Sequence, residues 1–324
     1  MLTKLLLTGL FLLVQGPLYC WGFYAHRKIN QIAVFLLPPG MTILFKPFIN
    51  FLGEHAVDPD KRRYVSKAEA PRHYIDIDHY GKYPFPDLPR NWKDASEKFG
   101  EDSLLAHGIV GWWIPVVMER LTKAFRDHDQ ARILKFSAEI GHYIADAHVP
   151  LHNNSNHNGQ LTGQLGIHAF WESRIPELLA DREYDFFIGA AAYLDQPQQF
   201  MWDRILESAA EADTVLKLEK EVSLKFKPDQ KFAFEKRNGT VVRQYASAYT
   251  LAYNKKLKGM VERRMRQAIW AVASFWYTAW INAGQPDLSD LQHRQFSEEE
   301  LREFAALDAA WTKKNSGDND ADDH

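Results

Sequence analysis

HYIADAHVPLH (residues 142–152) and HAFWE (residues 168–172) decide how this chain is read. On a helix, positions i and i+4 share a face. His142 and Asp146 therefore aim an imidazole and a carboxylate at one point, as do His168 and Glu172. His152 lies between the pairs, in the turn-like VPLHNNSN. Five nitrogen or oxygen donors fall within 31 residues, more than packing alone needs. Imidazole and carboxylate suit zinc, with no thiolate required. The simpler alternative is two ordinary helix faces, each His paired with its i+4 acid. That accounts for one pair more readily than for both pairs plus His152.

Working outward, the periodicity predicts a mostly helical chain. FYAHRKINQIAVFLL reads as a helix with Ile29, Ala33, Leu36 and Leu37 near one face, stopped at Pro38-Pro39-Gly40. TILFKPFINFLGEHA reads as a second helix. The polar connection from Val57 to Arg90 is rich in Pro, Asp and aromatic residues and lacks periodicity, so it is expected to be an ordered loop region. Further helices are expected over Ser103–Phe125, weakened early by Gly108, Gly111 and Pro115, and over Asp129–Val149, closed by Pro150. Others are expected over Leu165–Leu179, Gln198–Lys220 and Arg243–Ala283. Asn238-Gly239 predicts a small β-hairpin near 230–244. With no repeat and no linker, the expectation is an all-α fold: a single multi-helical domain over 21–311, with long ordered loops around a metal cleft. The acidic stretch 312–324 is expected to be a disordered tail.

The chain has 324 residues, 46% of them apolar, with 39 basic and 42 acidic side chains and a net charge of -3. That length and composition allow a sizeable core. The charge gives no basic surplus for tight, salt-driven duplex binding. Lys4 and the short apolar run LLLTGLFLLV (5–14) read as an export signal, 1–20, cleaved after Cys20. The protein is then periplasmic or secreted. Simple cleavage is favoured over a lipid anchor through Cys20, because Pro17-Leu18-Tyr19 lacks the small residues a lipoprotein site needs. Cys20 is the only cysteine, so the processed chain would have no disulfide. Metal ions could supply the missing cross-links.

Cleavage there would leave Trp21 first. Its amine and carbonyl could then chelate a metal beside His26, since a free α-amine loses its proton near neutrality. Asp58 and His73 bracket the polar connection; Asp58 also fits an ordinary turn residue, while His73 stands among Tyr74, Asp76 and Asp78. His107, beside glycines and tryptophans, reads as buried or as a supporting histidine. His148 and His157 have no assignment, and His55, His79, His128 and His293 read as structural or exposed.

Together, WGFYAH, an Asp ahead of His-aromatic-x-Asp, HYIADAHVPLH and HAFWE resemble the superfamily of zinc-dependent phospholipases C and single-strand-specific secreted nucleases. The resemblance spans Trp21 to Glu172. It implies a helical domain holding three zinc ions at the bottom of a cleft. Asp58, His73, His142 and Asp146 would be ligands of the first. Trp21 and His26 would hold a second, bridged to the first by Asp146. His152, His168 and Glu172 would hold the third. Tyr74 and Asp76 match positions where nuclease members stack on a base and bind its edge. Lys61, three residues past Asp58, stands where nucleases tend to place a phosphate-contacting arginine; Lys61 or its neighbour Arg62 is the expected contact. Glu172 departs from the aspartate general among nucleases and matches the bacterial phospholipase, while the short gap from Trp21 to His26 is nuclease-like.

The expected activity is zinc-assisted hydrolysis of a phosphodiester, with Asp146 and Lys61 in the catalytic machinery and Tyr74, Asp76 and Arg62 toward substrate. Single-stranded nucleic acid or a 3′-nucleotide is the first expected substrate, and a phospholipid head group the second. A noncatalytic, zinc-stabilised binding protein is the alternative from another class. No obligate protein partner is evident.

Overall fold

Proline and glycine set many of the points where helices begin and end in this chain. The computed structural model describes residues 22–237 and 239–317. The expected signal 1–20, with Cys20, and Trp21 lie outside the described residues, as does the end of the expected tail. Helix α1 (Phe23–Ala33) carries His26 and buries Ala25, Ile29 and Ala33. A 3-10 turn over Val34–Leu36 closes it. Pro39 then opens the next helix, Pro39–Phe45, at the position where a missing N–H costs nothing. The single helix expected across Pro47 is two, the second being Ile49–Glu54, since proline cannot donate within a helix.

The polar connection is ordered by short elements: α2 (Asp58–Arg63) and 3-10 turns at Ala70–His73 and Ile77–Tyr80. The helix expected from Ser103 instead breaks at Gly108. Its φ is +85°, and a β-carbon there would lie 2.2 Å from the Tyr74 carbonyl oxygen. Glycine alone satisfies both conditions. The chain resumes as α3 (Val110–Arg126), then α4 (Gln130–Ala147), whose N-cap Asp129 accepts from the Arg132 amide.

Helix α5 (Pro197–Ser223) precedes the hairpin. Strands β1 (Phe232–Arg237) and β2 (Thr240–Tyr245) pair antiparallel, Phe232 opposite Tyr245 and Arg237 opposite Thr240. The long helix expected over Arg243–Ala283 is therefore corrected. Its first residues belong to β2, and the remainder splits into α6 (Ser247–Leu257) and α7 (Met260–Asn282) at Lys258 and Gly259, both left-handed. Helix α8 (Glu298–Gly317) also runs past Trp311 into the region expected as tail. The all-α expectation, with one small hairpin, describes the fold. Among the described residues, no helix is long and apolar enough to cross a membrane.

Helix α4 lies at the centre, against α1, α3, α5 and α7. Trp276 of α7 donates its indole N–H to the Ser137 carbonyl (2.9 Å). The approach of α1 is closer still. A β-carbon on Gly141 would lie 2.0 Å from Asn30 Oδ1, and Asn30 Nδ2 donates to the carbonyls of Leu52 and Ala138, both at 3.1 Å. The missing side chain at 141 thus lets His26 reach His142. We expect Gly141→Ala to cost about 1–3 kcal/mol by overpacking, measured by denaturant unfolding; an unchanged midpoint would show that the two helices have room to separate.

Candidate metal centre

Helical spacing puts His142 and Asp146 on one buried face of α4. The other donors come from separate elements. His26 arrives on α1, Asp60 on α2, His73 at the end of its 3-10 turn, and His152 in the Pro150–Asn153 turn. His168 lies in the one-turn helix Ile167–Ala169, and Glu172 follows in a π-helical turn, Phe170–Arg174. Such widened turns occur frequently at functional sites. Among the described residues, three groups have donor atoms mutually within 4.8 Å: His26, His142 and Asp146; Asp60, His73 and His142; His152, His168 and Glu172. These buried clusters can hold metal ions.

Asp146 joins them. Its Oδ2 lies 3.0 Å from His73 Nδ1 and 3.1 Å from His142 Nε2. Its Oδ1 lies 3.4 Å from His26 Nε2 and 3.6 Å from His152 Nε2. His152 Nε2 in turn lies 3.4 Å from Glu172 Oε2, and His168 Nε2 lies 3.1 Å from the same oxygen. The rings of His26 and His142 stack with centroids 3.9 Å apart.

The tautomers are set from behind. His142 Nδ1–H donates to the Ala56 carbonyl (2.8 Å) and His168 Nδ1–H to the His157 carbonyl (3.0 Å). When neutral, each ring held this way points a lone pair from Nε2 into the cluster. On its inner side, His142 Nε2 meets His73 Nδ1 at 3.0 Å, and His168 Nε2 meets His152 Nε2 at 3.2 Å. Two facing nitrogens share one proton at most, or both donate to a common cation. Behind His73, at 3.7 Å from its Nε2, is buried Glu69, which accepts from the Tyr143 hydroxyl and from Arg72 (2.6 Å). A carboxylate behind an imidazole is the arrangement that orients a metal-binding histidine.

The donor chemistry passes a test of fit. Asp146 Oδ1, Asp60 Oδ2 and both Glu172 oxygens are buried without a hydrogen bond. Buried anionic oxygens need a cation. Burial opposes ionisation of Asp146, yet the charges of His142 and His152 hold its carboxyl well below the usual range. Glu172 is likewise depressed to about 2, against burial, by His168 and His152. Burial pushes the His73 imidazole well down. In His142 burial is outweighed by Asp146 and Asp60, which lift it to about 9.

Three expected residues stand elsewhere, and the sequence register must be corrected by two. Asp58 is not in the cluster: it accepts from His55 Nδ1 (2.5 Å) and Lys61 (3.1 Å). Asp60 takes its place. Positions two apart on a helix point about 200° from each other, so α2 presents only one of them inward. Lys61 also faces away, between Asp58 and Asp308 (2.6 Å). Arg62 lies behind the cluster on Glu139, at 2.6 Å. Arg63 is the cation that looks onto the site. Its Nη1 is 3.8 Å from Asp60 Oδ1, and its charge acts on His73 and His157. Asp60 and Arg63 keep the three-residue spacing read for Asp58 and Lys61, now ending in arginine, and that was the available signal. Glu69 was missed altogether.

Trp21 lies outside the described residues. Its neighbour Gly22 donates its amide to Ser173 Oγ (2.9 Å), next to Glu172. Tyr74 and Asp76 follow His73 out to the rim. The Tyr74 hydroxyl donates to the Ala106 carbonyl (3.3 Å), and Asp76 lies 3.5 Å from His107, which stacks on His79. No family model matches the chain, and a search of curated proteins finds no significant relative.

Asp60→Asn should lower metal content measured by elemental analysis, whereas Asp58→Asn should leave it unchanged; the reverse result would restore the first register. A second expectation concerns pH. Protonated His142 stabilises the metal-free fold fully below 6.5, and that contribution fades as pH rises through about 9. A metal must displace this proton. Apparent affinity, measured by calorimetry, should therefore strengthen from pH 6.5 toward 9, and a flat profile would contradict the assignment.

Proposed function

We propose that this chain is an exported zinc-dependent phosphodiesterase of the phospholipase C and single-strand nuclease superfamily, acting on single-stranded nucleic acid or a 3′-nucleotide. The observation that carries the reading is Asp146, a fully buried carboxylate within 3.6 Å of four imidazoles from separate elements. Structural zinc sites are usually closed four-ligand knots, often built on thiolates. Three neighbouring groups of nitrogen and oxygen donors, two of them sharing His142, fit a hydrolytic cluster of three ions.

When bound, zinc supplies Lewis acidity, which polarises a phosphoryl oxygen and acidifies water. The protein's own residues set where this acts. Asp146 fixes the spacing between ligand groups. Glu69 and the Ala56 and His157 carbonyls hold the imidazoles in orientation. Arg63 offers positive charge to nonbridging phosphate oxygens in place of Lys61. Tyr74 presents an aromatic face, worth about 1–3 kcal/mol in stacking a base, and Asp76 an acceptor for the base edge. Only an unpaired base can reach both, so duplex is disfavoured. The water oxygen would bond to phosphorus as the P–O bond to the leaving alcohol breaks, the water's proton passing to solvent or to the departing oxygen, and no side chain is covalently modified.

Phospholipid head-group hydrolysis is the second reading. It is favoured by Glu172 in the third group and by Leu161 and Leu165, which are 73% and 71% exposed on the loop joining His152 to His168.

The deciding assay sets single-stranded RNA and DNA, a 3′-nucleotide and phosphatidylcholine side by side. Chelation should abolish hydrolysis and zinc should restore it; turnover indifferent to chelator would end the metal reading. Arg63→Ala should lower kcat/KM about ten- to hundredfold, the range for a lost charged hydrogen bond, while Lys61→Ala should change it little. Cleavage confined to phosphatidylcholine would replace the first reading with the second.

A further inference from the structure

We infer that the outer face of the hairpin, with the loop 159–166 beside it, is a docking surface for a membrane of anionic lipids. Side chains alternate across a strand, and the register sets Phe234 opposite Arg243 and Lys236 opposite Val241 on one face. This face is open. Phe234 is 75% and Val241 64% exposed, and Leu224, just before the hairpin, is 84% exposed. Solvated sheet faces are ordinarily polar. Leu161 and Leu165 are also exposed, on the loop whose Gly166 abuts Tyr245 at the end of β2.

The charge of the region is opposite to that of the protein. Residues 224–243 contain six Lys or Arg and two acidic residues, in a chain of net charge -3. One of the acids, Glu235, points to the other face of the hairpin, where it accepts from Arg174 (3.0 Å). Arg243 lies flat over the Phe232 ring, 3.6 Å from its centroid, which keeps cation and apolar surface side by side. Basic residues among exposed apolar ones suit an anionic interface, with the apolar side chains entering the head-group boundary. A nucleic acid strand fits this face less well. Four of the five exposed side chains are aliphatic and offer no ring for a base to stack on.

The surface is fastened to the metal centre. Tyr245 stacks on Phe170 with centroids 3.8 Å apart, and Arg174 donates to the Tyr245 carbonyl at 2.9 Å. Both partners belong to the π turn that carries Glu172. Gly166 abuts the Tyr245 hydroxyl, which would lie 2.9 Å from a β-carbon there. Docking would therefore hold the rim near His168 at the lipid surface. The inference rests on the hairpin and loop alone, and it holds whether the cleft cleaves nucleotides or lipids.

Vesicle co-sedimentation of the full chain tests it, with phosphatidylcholine vesicles with and without phosphatidylglycerol. Variants are compared in the same chain, so any contribution of the apolar run 5–14 cancels. Binding should need the anionic lipid and weaken with salt. The double variant Lys225→Glu, Lys236→Glu should lose at least about fivefold in partition per cation replaced, and Phe234→Ser about tenfold. Thermal melting checks that each variant is folded. Three results would overturn the inference: no binding by the unaltered chain at low salt, unchanged partition in both folded variants, or binding through the same residues to a single-stranded oligonucleotide without lipid.

Discussion

Asp146 holds one carboxylate in the middle of four imidazoles, and the arrangement of the chain follows from that. His26, His73, His142 and His152 reach it from α1, from the turn after α2, from α4 itself and from the turn that follows α4. None of these side chains is more than 3% exposed. A bare carboxylate so deep would cost several kcal/mol. In the metal-free protein, the proton on His142 offsets that cost. With metal bound, the cation does so and the proton leaves. Assembly of the four elements and supply of positive charge are thus one event. That coupling suits a chain with a single cysteine and no disulfide to hold its loops.

The inner ring of donors depends on an outer one. His142 and His168 each spend one nitrogen on a backbone carbonyl, and His73 has Glu69 behind it. These contacts turn flexible imidazoles into fixed lone pairs. They also suit the packing of α4, which is buried throughout from Ser137 to Ala147. Asn30 binds carbonyls of two different segments through one amide. Gly141 removes the atom that would keep α1 away. The fold thereby pays once, in a buried polar network, for a site that needs little rearrangement to bind.

The parts of this design that helical periodicity controls could be read from the sequence. His142 with Asp146, and His168 with Glu172, are four apart, and that spacing alone put each pair on one face. The hairpin was equally legible, since Asn238-Gly239 stands between short apolar runs. The choice between Asp58 and Asp60 was not local. Both lie in the first turn of α2, where either acid suits the helix dipole; only the direction from which α2 meets α4 selects Asp60, and Arg63 with it. Arg243–Ala283 looked continuous because its apolar residues keep helical spacing across Lys258-Gly259. The left-handed pair there, and the pairing of Arg243–Tyr245 in a strand, override that pattern. Glu69 does stand four residues before His73, but the connection there lacks the helical periodicity that made the same spacing readable in the other two pairs.

Burial also constrains how a substrate meets this site. Asp146 and Glu172 are fully buried, and His152 nearly so, so no polymer or lipid aggregate enters as a whole. On the proposed reading, a phosphate and its nearest groups would approach while the remainder stays outside. The rim is made by residues adjoining the donors in sequence: Tyr74 and Asp76 after His73, Arg63 after Asp60, and the loop between His152 and His168. Each donor that enters the cluster therefore brings a neighbour to the surface. Whatever is recognised outside is covalently joined, within a few residues, to what is held inside. A shift of the rim would therefore be felt by the ligand geometry, and the hairpin is joined to the same turn as Glu172 through Phe170 and Arg174.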